Sequence, residues 1–293
     1  MDRNEFGALV QVLRKQQQRL SWNKGEWSQA SLAAKANLST NTLGNIERGE
    51  RVNLDASILQ ALAGALKLTS LEKQEFYYAA SGVPEGRRSD VVYKSAQRTG
   101  ELFLNYLTDI PWPAYISDVY GGIVAVNHSI RRLYGITDQI VEEALQISEG
   151  ANTIRLFFDP KLGIRELFTQ EWPKLAIHNI QFFRRTSLRY RATERFDRLL
   201  ELLWDYPEFR TYWFEAYEVD SDNFYDSQRY EYFHAPLHKA VAYIALVSSA
   251  VTNLGELYSV VYAPLDGPTT EIFENLYNEG PPGMQRISEW PTI

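Results

Sequence analysis

Apolar positions in the first eighty residues recur at spacings of three and four. Phe6, Leu9, Val10 and Leu13 mark one face of a helix ending near Arg19. Ser28 is placed to cap a second helix, Gln29–Ala36, and Ser39 a third, Thr40–Arg48, which Gly49 stops. Asp55 caps a fourth with Ile58, Leu59, Leu62 and Leu66 on one face, and Ser70 a fifth, Leu71–Ala80. Beyond residue 100 the pattern changes. Ala114–Val119 and Ile123–Asn127 are β-like runs around Tyr120-Gly121-Gly122, which predicts a hairpin, and a short helix follows over Ser129–Tyr134. From Asn152 to Tyr217 the spacing is helical, broken at Asp159-Pro160 and Tyr206-Pro207. Strands return over Tyr230–Phe233, Ala240–Val251 and Leu257–Tyr262, with Asn253-Leu254-Gly255 as the last turn. After Asp266, Gly280-Pro281-Pro282-Gly283 predicts an extended tail.

The pattern therefore predicts two domains. Residues 1–82 form an all-α five-helix unit, 83–100 a linker containing most of the Gly-, Pro- and charge-rich stretch Gly82–Asp90, and 101–265 an α+β unit. In that second unit an antiparallel sheet carries helices over one face, and 266–293 form the tail.

Composition adds constraints. Hydrophobic residues make up 45% of the 293, enough for two cores. Cysteine is absent, which excludes disulfides, thiolate catalysis and cysteine-ligated metals. The net charge of −7 argues against a polyanionic partner if taken whole, but it is unevenly spread. Residues 1–90 hold 12 Lys/Arg against 10 Asp/Glu, a net of +2, and the remainder hold 18 against 27, a net of −9. The acidic total thus leaves DNA open to the first unit, with weak non-specific phosphate binding and a modest salt dependence. Of 7 Trp, 18 Tyr and 14 Phe, all but six lie beyond residue 90. The chain opens without an apolar leader, and no apolar run approaches the ~18 residues of a membrane span. A soluble cytoplasmic protein that does not engage a membrane is expected.

Residues 28–48 carry the first chemical signal. Two short capped helices are separated by Asn37-Leu38-Ser39, Ala33 is small where helices must cross, and Leu32, Leu38, Leu43 and Ile46 are spaced to bury together. This is helix-turn-helix spacing, in which the second helix enters the major groove. Ser39, Thr40, Asn41 and Thr42 begin that helix with short donors and acceptors suited to base edges, and Asn45 lies one turn on. Gln29 and Arg48 are placed for phosphates, and Ser28, the cap before Gln29, joins them in the candidate DNA-binding set. Capped helix pairs also occur as plain bundles, so spacing alone leaves both readings open. Trp27–Leu68 resembles the Cro/phage-repressor, or XRE, type of helix-turn-helix. Ser28-Gln29, Leu32-Ala33, Leu43, Ile46-Glu47-Arg48-Gly49 and Leu59…Leu62-Ala63…Leu66 fall on its pattern. Asn37 stands where that family usually has Gly, and Asn tolerates the left-handed conformation the turn needs. The resemblance implies a double-stranded DNA operator and a homodimer on half-sites about one helical turn (~34 Å), or a multiple, apart.

The second unit offers no nucleophile–base pair, so no catalytic residues and no enzyme activity are expected. His234 and His238 have the interval of a metal pair, but Pro236 and β-like flanks keep them off one helix face. Asp220-Ser221-Asp222-Asn223 with Asp226 lacks the Gly and closing Glu of a calcium loop. No metal or cofactor is expected. Aromatic and aliphatic residues instead predict either a filled core or an apolar pocket between sheet and helices. The candidate lining is Tyr115, Val124, Val126, Tyr134, Phe157, Phe158, Trp204, Trp213, His234, Ile244 and Leu246. Pro113–Gly135 resembles a PAS-type opening. Asn152–Ala176, Leu199–Val219 and the strand-rich stretch after them resemble the MmyB-like ligand-binding domain, and the positions matching across the whole unit include Asn127, Leu133, Gly135, Arg155, Asp159, Pro160, Trp172, Glu208, Phe209 and Trp213. That resemblance implies a PAS-like sensor binding a small apolar ligand, a long-chain fatty acid or similar lipid. A lipid-acting enzyme with an appended DNA-binding domain, and a ligand-free dimerisation module, are the alternatives.

Overall fold

A computed structural model describes residues 1–50, 54–82, 96–168, 171–217, 229–252 and 255–290. The linker stretch from 83 to 95, the Asp220–Asp226 loop and Asn253-Leu254 of the last turn lie outside the described residues.

The N-terminal unit holds the five predicted helices: α1 (Arg3–Leu20), α2 (Gln29–Lys35), α3 (Thr40–Glu47), α4 (Ala56–Ala65) and α5 (Ser70–Ala80). Ser28, Ser39 and Asp55 cap α2, α3 and α4 by accepting from backbone N–H groups of the first turn. The cap of α5 is Thr69 rather than Ser70. Thr69 Oγ1 accepts from the Glu72 N–H, and the Glu72 carboxylate accepts from the Thr69 N–H, a reciprocal box that Ser70 cannot complete. Asn37 takes the left-handed turn (φ 53°) expected of it. Gly7 lets α1 cross the end of α3, since a Cβ there would stand 2.5 Å from the Ile46 carbonyl oxygen. Phe6, Leu9, Val10, Leu13, Leu32, Ala33, Leu43, Ile46, Leu62 and Phe76 fill the core.

Helix α6 (Ala96–Leu107) begins inside the expected linker. Next come β1 (Ala114–Asp118), β2 (Ile123–Asn127), α7 (His128–Leu133), α8 (Asp138–Leu145), α9 (Thr153–Phe158) and α10 (Arg165–Phe168). They are followed by α11 (Trp172–Ser187), α12 (Glu194–Trp204), α13 (Pro207–Glu215), β3 (Arg229–His234), β4 (Lys239–Thr252) and β5 (Gly255–Pro264). Two elements fall in the predicted tail: α14 (Gly267–Asn278) and β6 (Met284–Arg286). The six strands form one antiparallel sheet in the order β3-β4-β5-β1-β2-β6.

Two expectations need correction. The tail is not simply extended. Asp266 caps α14, Ile272, Phe273 and Leu276 enter the main core, and β6 pairs with β2. Gly280 packs directly on the His128 ring, so this glycine serves a close approach. Nor are all helices on one face. Most pack over the face carrying Tyr243 and Tyr262, but α6 lies on the other, where Phe103, Leu104 and Leu107 meet Ile116, Ala125 and Val261.

Candidate functional site

The N-terminal half of α3 is presented to solvent. Ser39, Thr40 and Asn41 are exposed, and Thr42 and Asn45 half-buried. Ser39 Oγ and Thr42 Oγ1 lie 2.8 Å apart and Ser39 also accepts from the Thr42 N–H, so both hydroxyls serve the cap. Thr40 and Asn41 make no side-chain hydrogen bond among the described residues. Ser28 caps α2 and contacts Ser31. Gln29 spends one amide N–H on Glu47 Oε2 (2.8 Å), which fixes its direction. Arg48 sits just past α3, donating to Asn45 Oδ1 (2.5 Å) and Glu50 Oε2 (2.9 Å). A phosphate reached by Arg48 must therefore compete with Glu50.

One pair that sequence reasoning passed over holds this helix. Arg14 of α1 donates from Nε and Nη2 to the two oxygens of Glu47, at 2.7 and 2.9 Å, with both side chains largely buried. Together with the Gln29 bond, Glu47 ties α1, α2 and α3 to one carboxylate.

On the sensor side a row of tyrosines crosses the sheet's inner face. Tyr230 and Tyr243 are cross-strand partners with stacked rings, and Tyr243 stacks on Tyr262 at 4.3 Å. Tyr134 of α7's C-cap donates its hydroxyl to Tyr262 (2.9 Å) and lies 3.2 Å from the Tyr243 hydroxyl. Burial pushes Tyr230 up to about 12 and Tyr134, Tyr243 and Tyr262 well above their ordinary value. These phenols stay protonated and able to donate at neutral pH. Beside them, between α11 and β1, β3, β4 and β5, lies a cavity of about 50 Å³ reached by Tyr115, His178, Phe182, Tyr230, Ala245 and Val247. A larger cleft of about 1210 Å³ is an open groove at the domain seam, between Met1–Ala8 and Arg189–Ala192.

The expected lining is only partly gathered here. Tyr115 lines the cavity; Val126, Tyr134, Phe157, Phe158 and Trp213 belong to the surrounding core, with Trp204 at its edge. Ile244 and Leu246 do not. Tyr243, Ala245 and Val247 face inward instead, and Leu246 is 48% exposed on the opposite face. Val124 packs under α6, displaced by a register shift between β1 and β2. His234 is buried but self-contained: Nε2 donates to the Leu133 carbonyl (2.7 Å), and Nδ1 accepts from the Leu237 N–H. Burial lowers its pKa, with the Leu133 bond opposing, so it is neutral and spoken for.

The two domains meet through α5. Glu72 is fully buried, 2.9 Å from Arg184 and 2.5 Å from Arg191. Arg184 also donates to the carbonyls of Trp213 (2.7 Å) and Lys67 (3.1 Å), and both guanidiniums lie over the Trp213 ring. Burial alone would raise the Glu72 carboxyl; the two guanidiniums outweigh it and hold it at about 2. Leu188, from the sensor side, is part of the N-terminal core.

A helix-turn-helix family model matches residues 17–73, and that of the MmyB-like transcription regulator ligand binding domain matches residues 101–276, more than half of the chain. This chain belongs to the MmyB-like transcription regulator family. The two matches support a ligand-regulated, DNA-binding transcription regulator. In this MmyB-like regulator the ligand-binding match runs into α14, so the first part of the predicted tail belongs to the sensor. A search of curated proteins finds no match to the chain. Among the described residues no helix is long and apolar enough to cross a membrane, and no group of three or more His, Asp or Glu is placed to hold a metal ion.

Proposed function

We propose that this MmyB-like regulator is a cytoplasmic homodimer reading a two-fold operator through α3, and that it acts as a sensor and not as an enzyme. The observation that carries the reading is the outward start of α3, where Thr40 and Asn41 have no internal hydrogen bond among the described residues. Pairing of two copies is favoured because each helix-turn-helix reads only a short half-site. The DNA-contacting set is Ser28, Gln29, Ser39, Thr40, Asn41, Thr42, Asn45 and Arg48, within a DNA-binding domain over residues 1–82.

The ligand is a small apolar molecule, a long-chain fatty acid or similar lipid. The cavity beside Tyr115 supports an apolar chain, and among the buried tyrosines near it the hydroxyl of Tyr262, which accepts from Tyr134, keeps its own proton to donate to a carboxylate or hydroxyl head group. Ligand binding shifts operator binding insofar as it favours one arrangement of the domains.

Mass spectrometry of an organic extract of the purified chain tests the sensor reading. A stoichiometric fatty acid is the expected result; turnover of lipid supports the enzyme alternative, and an empty extract the ligand-free dimerisation module. On the DNA side, Asn41→Ala with Thr42→Ala is expected to abolish sequence preference while the fold stays intact, the melt falling only slightly with the loss of the Ser39–Thr42 contact. Each lost base contact is worth about 1–3 kcal/mol of discrimination. Footprints identical to wild type would remove α3 from the recognition role.

A further inference from the structure

Of the residues that wall the cavity, one comes from outside the ligand-binding match. Leu71 belongs to α5, within the helix-turn-helix match, and is 6% exposed. Its neighbour in sequence is Glu72, the residue clasped by Arg184 and Arg191. The remaining wall residues belong to the sheet and to α11.

We propose that the ligand site of this regulator is shared between its domains: Leu71 closes the sensor's cavity, and an apolar ligand enters by displacing it. The proposal rests on reading the cavity as the ligand site. At about 50 Å³ the space holds little more than one or two methylene groups, against the ~300 Å³ or more of ordinary ligand sites. Something must move to admit a chain. The sheet wall resists, because β4, β5 and β1 are each paired on both sides and Tyr230, Tyr243 and Tyr262 are stacked on one another. On α11, Ile180 and Phe183 are buried in the main core, and Arg184 is tied to the Trp213 carbonyl. Leu71 is held differently. It can leave with its own domain, without breaking any strand pairing, once Glu72 gives up its two arginines and the lesser seam contacts part with them: Arg184 to the Lys67 carbonyl, Arg185 to Glu75, Gln16 to the Arg191 carbonyl, and Leu188 in the N-terminal core.

Ligand binding and domain docking then compete, and the coupling is reciprocal. A ligand in the cavity loosens α5 from α11; a docked α5 lowers ligand affinity by the same factor. The DNA-binding domain is thus informed of the ligand by direct contact, because its own residue is part of the binding site.

The test uses the full chain and cis-parinaric acid, a fluorescent long-chain fatty acid. Leu71→Ala is expected to tighten parinarate binding about tenfold, since less apolar surface must be displaced. Leu71→Trp is expected to weaken it by a similar factor. Val247→Phe, which narrows the cavity from the sheet, serves as the reference and is expected to weaken binding. Parinarate is expected to speed hydrogen exchange in residues 70–80. If Val247→Phe weakens binding while both Leu71 variants behave as wild type, the cavity is the ligand site and the shared wall is wrong. Slower exchange in residues 70–80 on adding parinarate also overturns the competition. If parinarate does not bind the wild-type chain, or Val247→Phe leaves binding unchanged, the cavity reading fails and this inference with it. Should Leu71→Trp not fold, Leu71→Ala and the exchange measurement still decide.

Discussion

Glu72→Gln is expected to destabilise the protein by about 3–5 kcal/mol, read from urea denaturation of the full chain at neutral pH. The substitution keeps the shape and even the Thr69 cap but removes the only carboxylate that, among the described residues, pairs with Arg184 and Arg191. Two guanidiniums, 2% and 3% exposed, would then sit in the seam without a counter-charge. Carbonyl partners and the Trp213 face soften this but carry no full negative charge. The same group gives a pH signature. Its folded carboxyl is held at about 2, below the ordinary 4.5, so its stabilisation is complete above about pH 4.5 and fades as pH falls towards 2. The shift corresponds to roughly 3 kcal/mol. Glu72→Gln should remove that part of the acid limb while leaving the rest of the profile parallel. A control separates charge from packing: replacing Glu72, Arg184 and Arg191 together with apolar residues of similar volume is expected to be far milder than Glu72→Gln alone. A Glu72→Gln chain as stable as wild type, with an unchanged acid limb, would show that the triad is bystander chemistry.

The contrast between Glu72 and the caps shows what the sequence could and could not convey. Local signals were legible: the caps of α2, α3 and α4, the left-handed Asn37, and the hairpin of β1 and β2 all depend on neighbours within a few residues. The Thr69-Ser70-Leu71-Glu72 box was equally local and was misplaced by one residue at Ser70. Even read correctly, it would have explained Glu72 as a capping residue, although its partner Arg191 is 119 positions away. The facing of β4 was missed for a different reason. Ala240–Val251 is apolar on both sides of the strand, because helices cover one face of the sheet and α6 part of the other. With no alternation to fix the phase, Ile244 and Leu246 were as plausible as Ala245 and Val247. The tail was legible in principle: Asp266 as cap, Pro268 in the first turn, and Ile272, Phe273 and Leu276 on one face are helix signals, but the later glycines and prolines masked them.

The second large effect is expected at Glu47. Glu47→Ala should cost the DNA-binding domain about 3–5 kcal/mol and abolish DNA binding, because it strips Arg14 of both its hydrogen bonds to a carboxylate. Arg14 cannot readily turn to water: its side chain is 10% exposed, and its remaining bond is a long one to the Trp27 carbonyl. The consequence for DNA follows from geometry. Glu47 closes α3, and its two oxygens are the points at which α1 and α2 grip that helix, while α1 and α3 touch backbone to backbone at Gly7. Losing the carboxylate frees Gln29 and lets α3 rotate, so every side chain from Ser39 to Asn45 leaves its register with the groove together. That outcome differs from Asn41→Ala with Thr42→Ala, which should erase sequence preference while the fold stays intact and the melt falls only slightly. Glu47→Ala should lower the melt and lose specific and non-specific binding alike. Selection from a randomised duplex pool, run beside thermal melts for both variants, separates the two roles. A Glu47→Ala chain that melts lower yet selects the wild-type sequence would show that α3 keeps its orientation by packing of Leu43 and Ile46 alone, and that the carboxylate serves stability without aiming the helix.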